Sequence, residues 1–178
     1  GDAERISPES PVPVLRVVAR EDRLGGSGSV AACLTALGAR QVIAFGVLGH
    51  DQAGQQVLAL LQQAGVDTRG MISLEDRPTT CKTRVVGLAQ HRHRQQLLRI
   101  DEEKLCEVPA EVHARIRAGL LETLAAGDID AVLVEDYNKG VVTPELMMHL
   151  TAAARQAKVP VLVDPALTTE SSKQNIYG

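Results

Sequence analysis

Aromatic side chains are almost absent from this chain. It has two Tyr, one Phe and no Trp among 178 residues, so its core must be built from Leu, Val, Ile and Ala. Surplus charge of either sign is also missing. A net charge of -3 gives no reason to expect nucleic acid or an anionic membrane as a partner. No apolar run reaches the ~18 residues that would span a bilayer, and no signal-peptide pattern opens the chain, so the cytoplasm is the expected compartment. The three cysteines, Cys33, Cys81 and Cys106, lack C-x-x-C spacing and are odd in number. Two lie in apolar patterns, which predicts buried free thiols in a reducing compartment rather than disulfides. There is no Walker A sequence, no internal repeat and no low-complexity segment. What remains is a chain of single-domain size with ordinary globular composition, 44% hydrophobic and 23% charged, long enough to bury a real core.

The most informative stretch is LGGSGSVAACLTALGA, residues 24–39, a glycine-rich turn running directly into a helix. Gly25, Gly26 and Gly28 permit a backbone approach that a Cβ would forbid. Ser29 is placed to cap the helix, and Val30, Cys33, Leu34 and Leu37 repeat at the spacing of one apolar face. Gly38 stands where a left-handed cap belongs. An open helix start attracts anions or polar ligand oxygens; a tight loop that only lets the helix pack closely would look the same.

Along the chain, residues 1–13 are rich in turn formers, and the prolines of SPESPVP favour extended backbone. Strands are predicted over 14–19 and 41–47, the second apolar enough for a buried parallel strand. Asp51 caps a helix with Val57, Leu58, Leu61 and Ala64 on its face, and Gly65 ends it. Residues 80–89 and 96–100, separated by HRHRQQ, read as a hairpin. A helix over 109–126 carries Val112, Ile116, Leu120 and Leu124. A short strand over 131–134 ends in Glu135 and Asp136, and Thr143-Pro144 opens a helix to about Ala157. A last strand over 159–163 ends in Asp164-Pro165. Helices alternating with buried strands predict an α/β fold, an open and mostly parallel sheet with helices on both faces. The strands about 12–19 and 80–100 would then form a small flap outside the body, about 24–70 and 105–178.

In such folds ligands bind beyond the carboxyl ends of the strands. Asp136 with Lys139 and Gly140, and Asp164, fall at such ends; Asp136 and Lys139 would suit a polar ligand or phosphate, or equally a solvated turn with a local ion pair. Gln95, Gln96, Arg99 and Asp101 crowd one end of the hairpin, where they could meet a polyhydroxylated ligand or simply face solvent. Gly26-x-Gly28-x-x-Ala31 fits a relaxed dinucleotide fingerprint, but no acid ends the strand at Val47. Alternating His91, Arg92, His93 and Arg94 repel a cation and argue against a metal there. His50, His113 and His149 read as lone structural or exposed residues.

RISPESPVPVL, LGGSGSVAACLTALGA, GVLGHDQAGQQVLALLQQAGVDT, RPTTCKTRV, QQLLRID, EDYNKGVVTP and VPVLVDP occur in that order between Arg5 and Pro165. Together they resemble the ribokinase-like (pfkB) sugar kinases, and among them the kinase domains that phosphorylate heptose 7-phosphate in bacteria, often fused to an adenylyltransferase. The resemblance implies a ribokinase-like α/β fold with a β lid, which here would be incomplete at both ends. It implies phosphoryl transfer from ATP with Mg2+ to O1 of D-glycero-D-manno-heptose 7-phosphate, a step toward ADP-heptose for the lipopolysaccharide core, and a homodimer joined through the lid. It further implies that Gly25 and Gly26 hold the sugar, with Ser29, Lys82, Gln95, Arg99, Asp136 and Lys139 lining or bordering the pocket and Asp164 on the nucleotide side.

Two departures stand out. Ser29 replaces the usual Asn, shortening one sugar contact. The family's G-A-G-D segment, whose Asp is the catalytic base, has no counterpart here, nor does its Asn-x-x-Glu region; both would lie beyond Gly178. No catalytic residue is therefore assigned within these residues, and the 178-residue polypeptide alone is expected not to turn over ATP. The remaining alternatives are a ribokinase-like kinase for another sugar or a nucleoside, and a non-catalytic sugar-binding or interaction module.

Overall fold

The computed structural model describes residues 2–87, 95–104 and 107–165. Its body is built from two parallel strand pairs. β3 (Ile43–Gly49) runs beside β4 (Asp67–Leu74), and β7 (Val132–Glu135) beside β8 (Val161–Asp164). Two antiparallel hairpins complete the strands: β1 (Asp2–Ile6) with β2 (Pro13–Arg16), and β5 (Cys81–Gly87) with β6 (Gln95–Glu102). Among the described residues these are four separate two-stranded ladders. The expected open sheet is thus represented by two parallel pairs, and packing of helices unites them.

The uniting elements are α3 (Ala110–Ala125) and α4 (Pro144–Ala157). Val112 and Ile116 of α3 join Leu146 of α4 and Ile72 of β4 in one apolar cluster. Leu124 of α3 joins Met147, Leu150 and Ala154 of α4 and Val134 of β7 in a second. Both helices therefore contribute to the cluster of each strand pair, through side chains four residues apart on one face. A third cluster, Ala31, Leu61 and Val66, seats α1 (Gly26–Ala36) and α2 (Gln52–Gln63). The apolar core is aliphatic in all three clusters, as the scarcity of aromatics demands. Thr143 caps α4, its hydroxyl accepting from the Leu146 N–H, with Pro144 in the first turn.

Several expectations need correction. α1 starts at Gly26, not after Ser29, because the Gly28 and Ser29 N–H groups already bond the Gly25 carbonyl, which leaves the Ser29 hydroxyl no capping role. Its buried residue is Ala31, whereas Cys33 is exposed and Leu37 is 85% exposed; at the edge of the body, α1 is covered on only one side. Cys33 and Cys81 are free thiols, but the first is exposed and the second only partly covered. Cys106, His91, His93 and the tail after Pro165 lie outside the described residues. β1 and β4 appear where no strand is predicted. β4 alternates poorly because Gly70 faces Phe45, whose ring occupies the space a side chain would need. β2 ends at Arg16, short of Ala19.

One carboxylate ties these parts together. Asp51 caps α2 by accepting from the Gly54 N–H at 2.7 Å, and also accepts from the Thr79 N–H at 2.8 Å and the Thr79 hydroxyl at 2.7 Å. Thr79 Oγ1 in turn accepts from the Gly49 N–H at 2.9 Å. The end of β3, the start of α2 and the approach to β5 thus share one hydrogen-bond knot. Its closeness requires glycine at position 54, where an added Cβ would lie 2.2 Å from the Gly49 carbonyl oxygen. Burial works against the charged Asp51, but the hydrogen bonds from Thr79 and Gly54 outweigh it and hold its pKa below the ordinary 3.8.

Asp51→Asn should therefore lower stability by about 1–2 kcal/mol at neutral pH, since hydrogen bonds to a charged group are among the stronger ones. The native pKa is depressed, so the contribution is complete above the unfolded value and fades as pH falls through the native one. Urea unfolding across pH should show wild type and variant converging below about pH 4; a gap that stays constant there would remove the charge from this account.

Candidate functional site

The carboxyl ends of β7 and β8 lie side by side, Glu135 opposite Asp164. The next residue, Asp136, is 5% exposed. Its N–H donates to the Asp164 carbonyl at 3.0 Å, and its Oδ1 accepts from the Asn138 N–H at 2.7 Å. That local turn holds Asn138 at a left-handed φ of 54°, a conformation Asn tolerates well. The Lys139 carbonyl accepts from Arg77 Nη2 at 2.6 Å. Arg77, only 6% exposed, reaches this loop from the turn between β4 and β5. The 136–140 loop is thus held from two directions.

The glycine turn meets the same loop. Gly26 has φ +49°, and a Cβ there would lie 3.2 Å from Cε2 of Tyr137. Gly25 has ordinary extended φ and open space around it. Ser29 sits half-buried in the first turns of α1. Beside them, burial first and the neighbouring Asp164 second push the Glu135 carboxyl above its ordinary pKa, and the same two carboxylates and burial raise the Tyr137 hydroxyl.

The β5–β6 hairpin reaches this loop through charge. Lys139 Nζ lies 2.7 Å from Glu103 Oε2, which is also 3.4 Å from Lys82 Nζ. Lys82 pairs with Asp101 at 2.9 Å, and Asp101 with Arg99 at 2.8 Å. The register Lys82↔Asp101 and Arg84↔Arg99 puts all four on one face of the hairpin. An irregularity at Val85/Val86 then shifts the pairing to Val86↔Gln96 and Gly87↔Gln95. It carries Gln96, rather than Gln95, onto the face of Lys82. The hydrogen bond to Asp101 raises the Lys82 pKa, and Lys82 and Lys139 respectively hold Asp101 and Glu103 below their ordinary values. These shifts hold Lys82, Asp101 and Glu103 in their charged forms at neutral pH.

Of the expected site residues, the structure sets Gly26 against Tyr137, the neighbour of Asp136, and joins Lys82, Arg99 and Lys139 by ion pairs through Asp101 and Glu103. Asp164 stands exposed at the end of β8, beside Glu135. Gln95 lies at the far end of β6. Sequence reasoning did not single out Glu103, Arg77, Tyr137 or Glu135. Arg77 stood in the RPTTCKTRV motif, where a buried Arg has no periodic signature; Glu103 follows a strand in an acidic run that looks solvated. A shallow groove of about 420 Å³ lies next to this cluster, lined by His50, Asp51, Glu75, Asp76, Arg77, Pro78 and Lys104. It holds neither lysine of the cluster nor Asp136, and His50 pairs there with Glu75, so the convergent charged groups mark the better site. No helix among the described residues is long and apolar enough to cross a membrane.

Residues 1–177 match the family described as pfkB family carbohydrate kinase. The chain is 46% identical over 165 residues to the bifunctional protein HldE of Pelobacter propionicus, covering 93% of this chain and 32% of that protein. It is 45% identical, again over 93% of this chain, to a D-beta-D-heptose 7-phosphate kinase of Bordetella bronchiseptica, of which it covers 49%. The chain thus spans a third to a half of these curated relatives. A ribokinase-type protein of Agrobacterium tumefaciens superposes with a TM-score of 0.56 at 23% identity, over 88% of this chain and 48% of that one. A 1-phosphofructokinase-type protein of Thermotoga maritima gives 0.58 at 17%, over 83% and 47%. These two establish a ribokinase-like fold.

The two glycines of the turn should respond differently to a side chain. Gly26→Ala must hold a left-handed φ against the Tyr137 ring and should cost about 1–2 kcal/mol, while Gly25→Ala, unstrained and open, should stay within about 0.5 kcal/mol. Paired urea titrations test this; equal losses would contradict the geometry of the turn.

Proposed function

The chain belongs to the pfkB family of carbohydrate kinases, and on that premise we propose that the full-length protein transfers a phosphoryl group from ATP to O1 of D-glycero-D-manno-heptose 7-phosphate. The observation that carries this reading is the 45% identity, across 93% of the chain, to a relative named D-beta-D-heptose 7-phosphate kinase. The geometry supports it. Phosphoryl transfer needs positioning and charge neutralisation more than covalent chemistry, and a substrate that already bears a phosphate needs cations away from the reacting hydroxyl.

In this reading Gly25, Gly26 and Ser29 bound the sugar on one side and Asp136 on the other. Asp136 is buried, fixed by backbone hydrogen bonds, and suited to accept from a sugar hydroxyl. Lys139, Lys82 and Arg99 face the phosphate, and Gln95 or its neighbour Gln96 borders the hydroxyls. Asp164 belongs to the nucleotide side. With Glu135 beside it, it offers hard oxygen atoms of the kind Mg2+ takes. Bound Mg2+ with ATP supplies the phosphoryl group and neutralises its charge. The product leads toward ADP-heptose, and the setting is the cytoplasm, where ATP is available.

The lid is proposed to pair two copies. Val12, Val17 and Val18, flanking β2, and Leu98 and Ile100 on β6 are each about half exposed or more, and exposed apolar segments beside strand edges invite another chain. Light scattering of the purified protein at micromolar concentration should give a dimer; a monomer throughout would remove the lid contact.

For the site itself, Lys139→Ala should weaken binding of the sugar phosphate by about ten- to a hundredfold, since a charge-assisted hydrogen bond contributes roughly 1.5–3 kcal/mol. ATP affinity should change much less. Calorimetric titration of wild type and variant without nucleotide checks this, and equal affinities would take Lys139 out of the site.

A further inference from the structure

Two ammonium groups converge on one carboxylate oxygen. Glu103 Oε2 lies 2.7 Å from Lys139 Nζ and 3.4 Å from Lys82 Nζ. Lys139 belongs to the body, on the loop after β7. Lys82 lies on lid strand β5, and Glu103 directly follows lid strand β6. The Glu103 and Lys139 side chains are only 25% and 24% exposed, so this is a largely covered contact rather than a loose surface pair. Among the described residues the cluster is also unbalanced, Lys82, Lys139 and Arg99 pairing with Glu103 and Asp101. Asp101 is held by both Lys82 and Arg99, and Lys82 therefore keeps a partner if Glu103 leaves. Among the described residues, Lys139 has Glu103 alone as its ion-pair partner.

A carboxylate brings one negative charge and two oxygens. A phosphate monoester brings three terminal oxygens and a charge of about -1.5 to -2 near neutral pH. It can face both ammonium groups with separate oxygens, where Glu103 uses one oxygen for both. We propose that Glu103 is an exchangeable counter-ion: it holds Lys139 and Lys82 until the phosphate of a phosphorylated sugar displaces it. This deepens the reading of the two lysines as the phosphate site, and rests on it. Until displaced, Glu103 keeps the ammonium groups neutralised and aimed at one point. A sugar without phosphate leaves that pairing intact and gains nothing from the lysines.

The test compares wild type, Glu103→Gln and Lys139→Ala in the full-length protein, titrated calorimetrically with heptose 7-phosphate, with unphosphorylated heptose and with inorganic phosphate. Removing the competing charge from two ion pairs should tighten binding of both phosphate ligands by about three- to tenfold and leave the unphosphorylated sugar unchanged. A mere brace between lid and body would act in the opposite direction, weakening every ligand. Unchanged or weaker phosphate binding in Glu103→Gln, with Lys139→Ala still impaired, overturns the counter-ion role and leaves the phosphate site standing. Lys139→Ala with wild-type affinity overturns both. Should Glu103→Gln fail to fold, Glu103→Asp, too short to reach both ammonium groups, must tighten phosphate binding in the same direction, and its failure to do so counts equally against the proposal.

Discussion

The arrangement of this molecule depends on the Asp51 carboxylate more than on any other single group. Its two oxygens close the first turn of α2 and take both donors of Thr79. Thr79 then receives the end of β3 through the Gly49 N–H. A carboxylate that accepts three hydrogen bonds fixes the backbone it touches far better than apolar contact does, because the bonds have direction as well as strength. The turn that follows β4 is thereby held in place. That turn carries Arg77, whose guanidinium reaches the Lys139 carbonyl. From the end of β3 to the loop after β7, the path is a chain of hydrogen bonds, and the candidate site sits at its far end.

Around that path the body is held by aliphatic packing. α3 and α4 each contribute to two apolar clusters, so neither strand pair can move far without uncovering side chains of the other. Branched and unbranched aliphatics can fill such a core as densely as aromatics when their volumes match. The lid is built differently. β6 is exposed along its whole length, and its described link to the body loop is ionic, through Glu103 and Lys139. Ion pairs are sensitive to ligands and salt in a way that buried apolar contacts are not. The structure thus combines a body fixed by burial with a β5–β6 hairpin tied to it by charge.

The chemistry reading gains from this division. A kinase for a substrate that is already phosphorylated must recognise one phosphate without transferring it, and bring a distant hydroxyl to a second. In the proposed function, cations carried partly on the β5–β6 hairpin and partly on the body couple recognition of the first phosphate to closing over the sugar. The relatives at 45–46% identity and the ribokinase-like neighbours agree with this picture at the level each can reach, the first for the family and the second for the fold.

What the sequence determined by itself is local. Asp51 and Thr143 as caps, Gly38 and Gly65 as helix ends, the faces of α3 and α4, and the hairpin of β5 and β6 all follow from spacings of a few residues, where backbone geometry leaves few choices. The α/β class and the strand-end acids at Asp136 and Asp164 follow as well. Three kinds of feature were decided only by the tertiary structure. β4 depends on Phe45 covering Gly70, a cross-strand relation that no alternation within the segment records. The start of α1 was settled by which N–H groups the Gly25 carbonyl took, and its orientation by the single side that α2 covers. The site was assembled from Lys82, Arg99, Glu103, Arg77 and Lys139, residues up to sixty-two positions apart. Their side chains meet because the lid folds back over the body. Charge attracts across space without any periodicity along the chain, so a sequence can name such residues by type but cannot say which of them will pair.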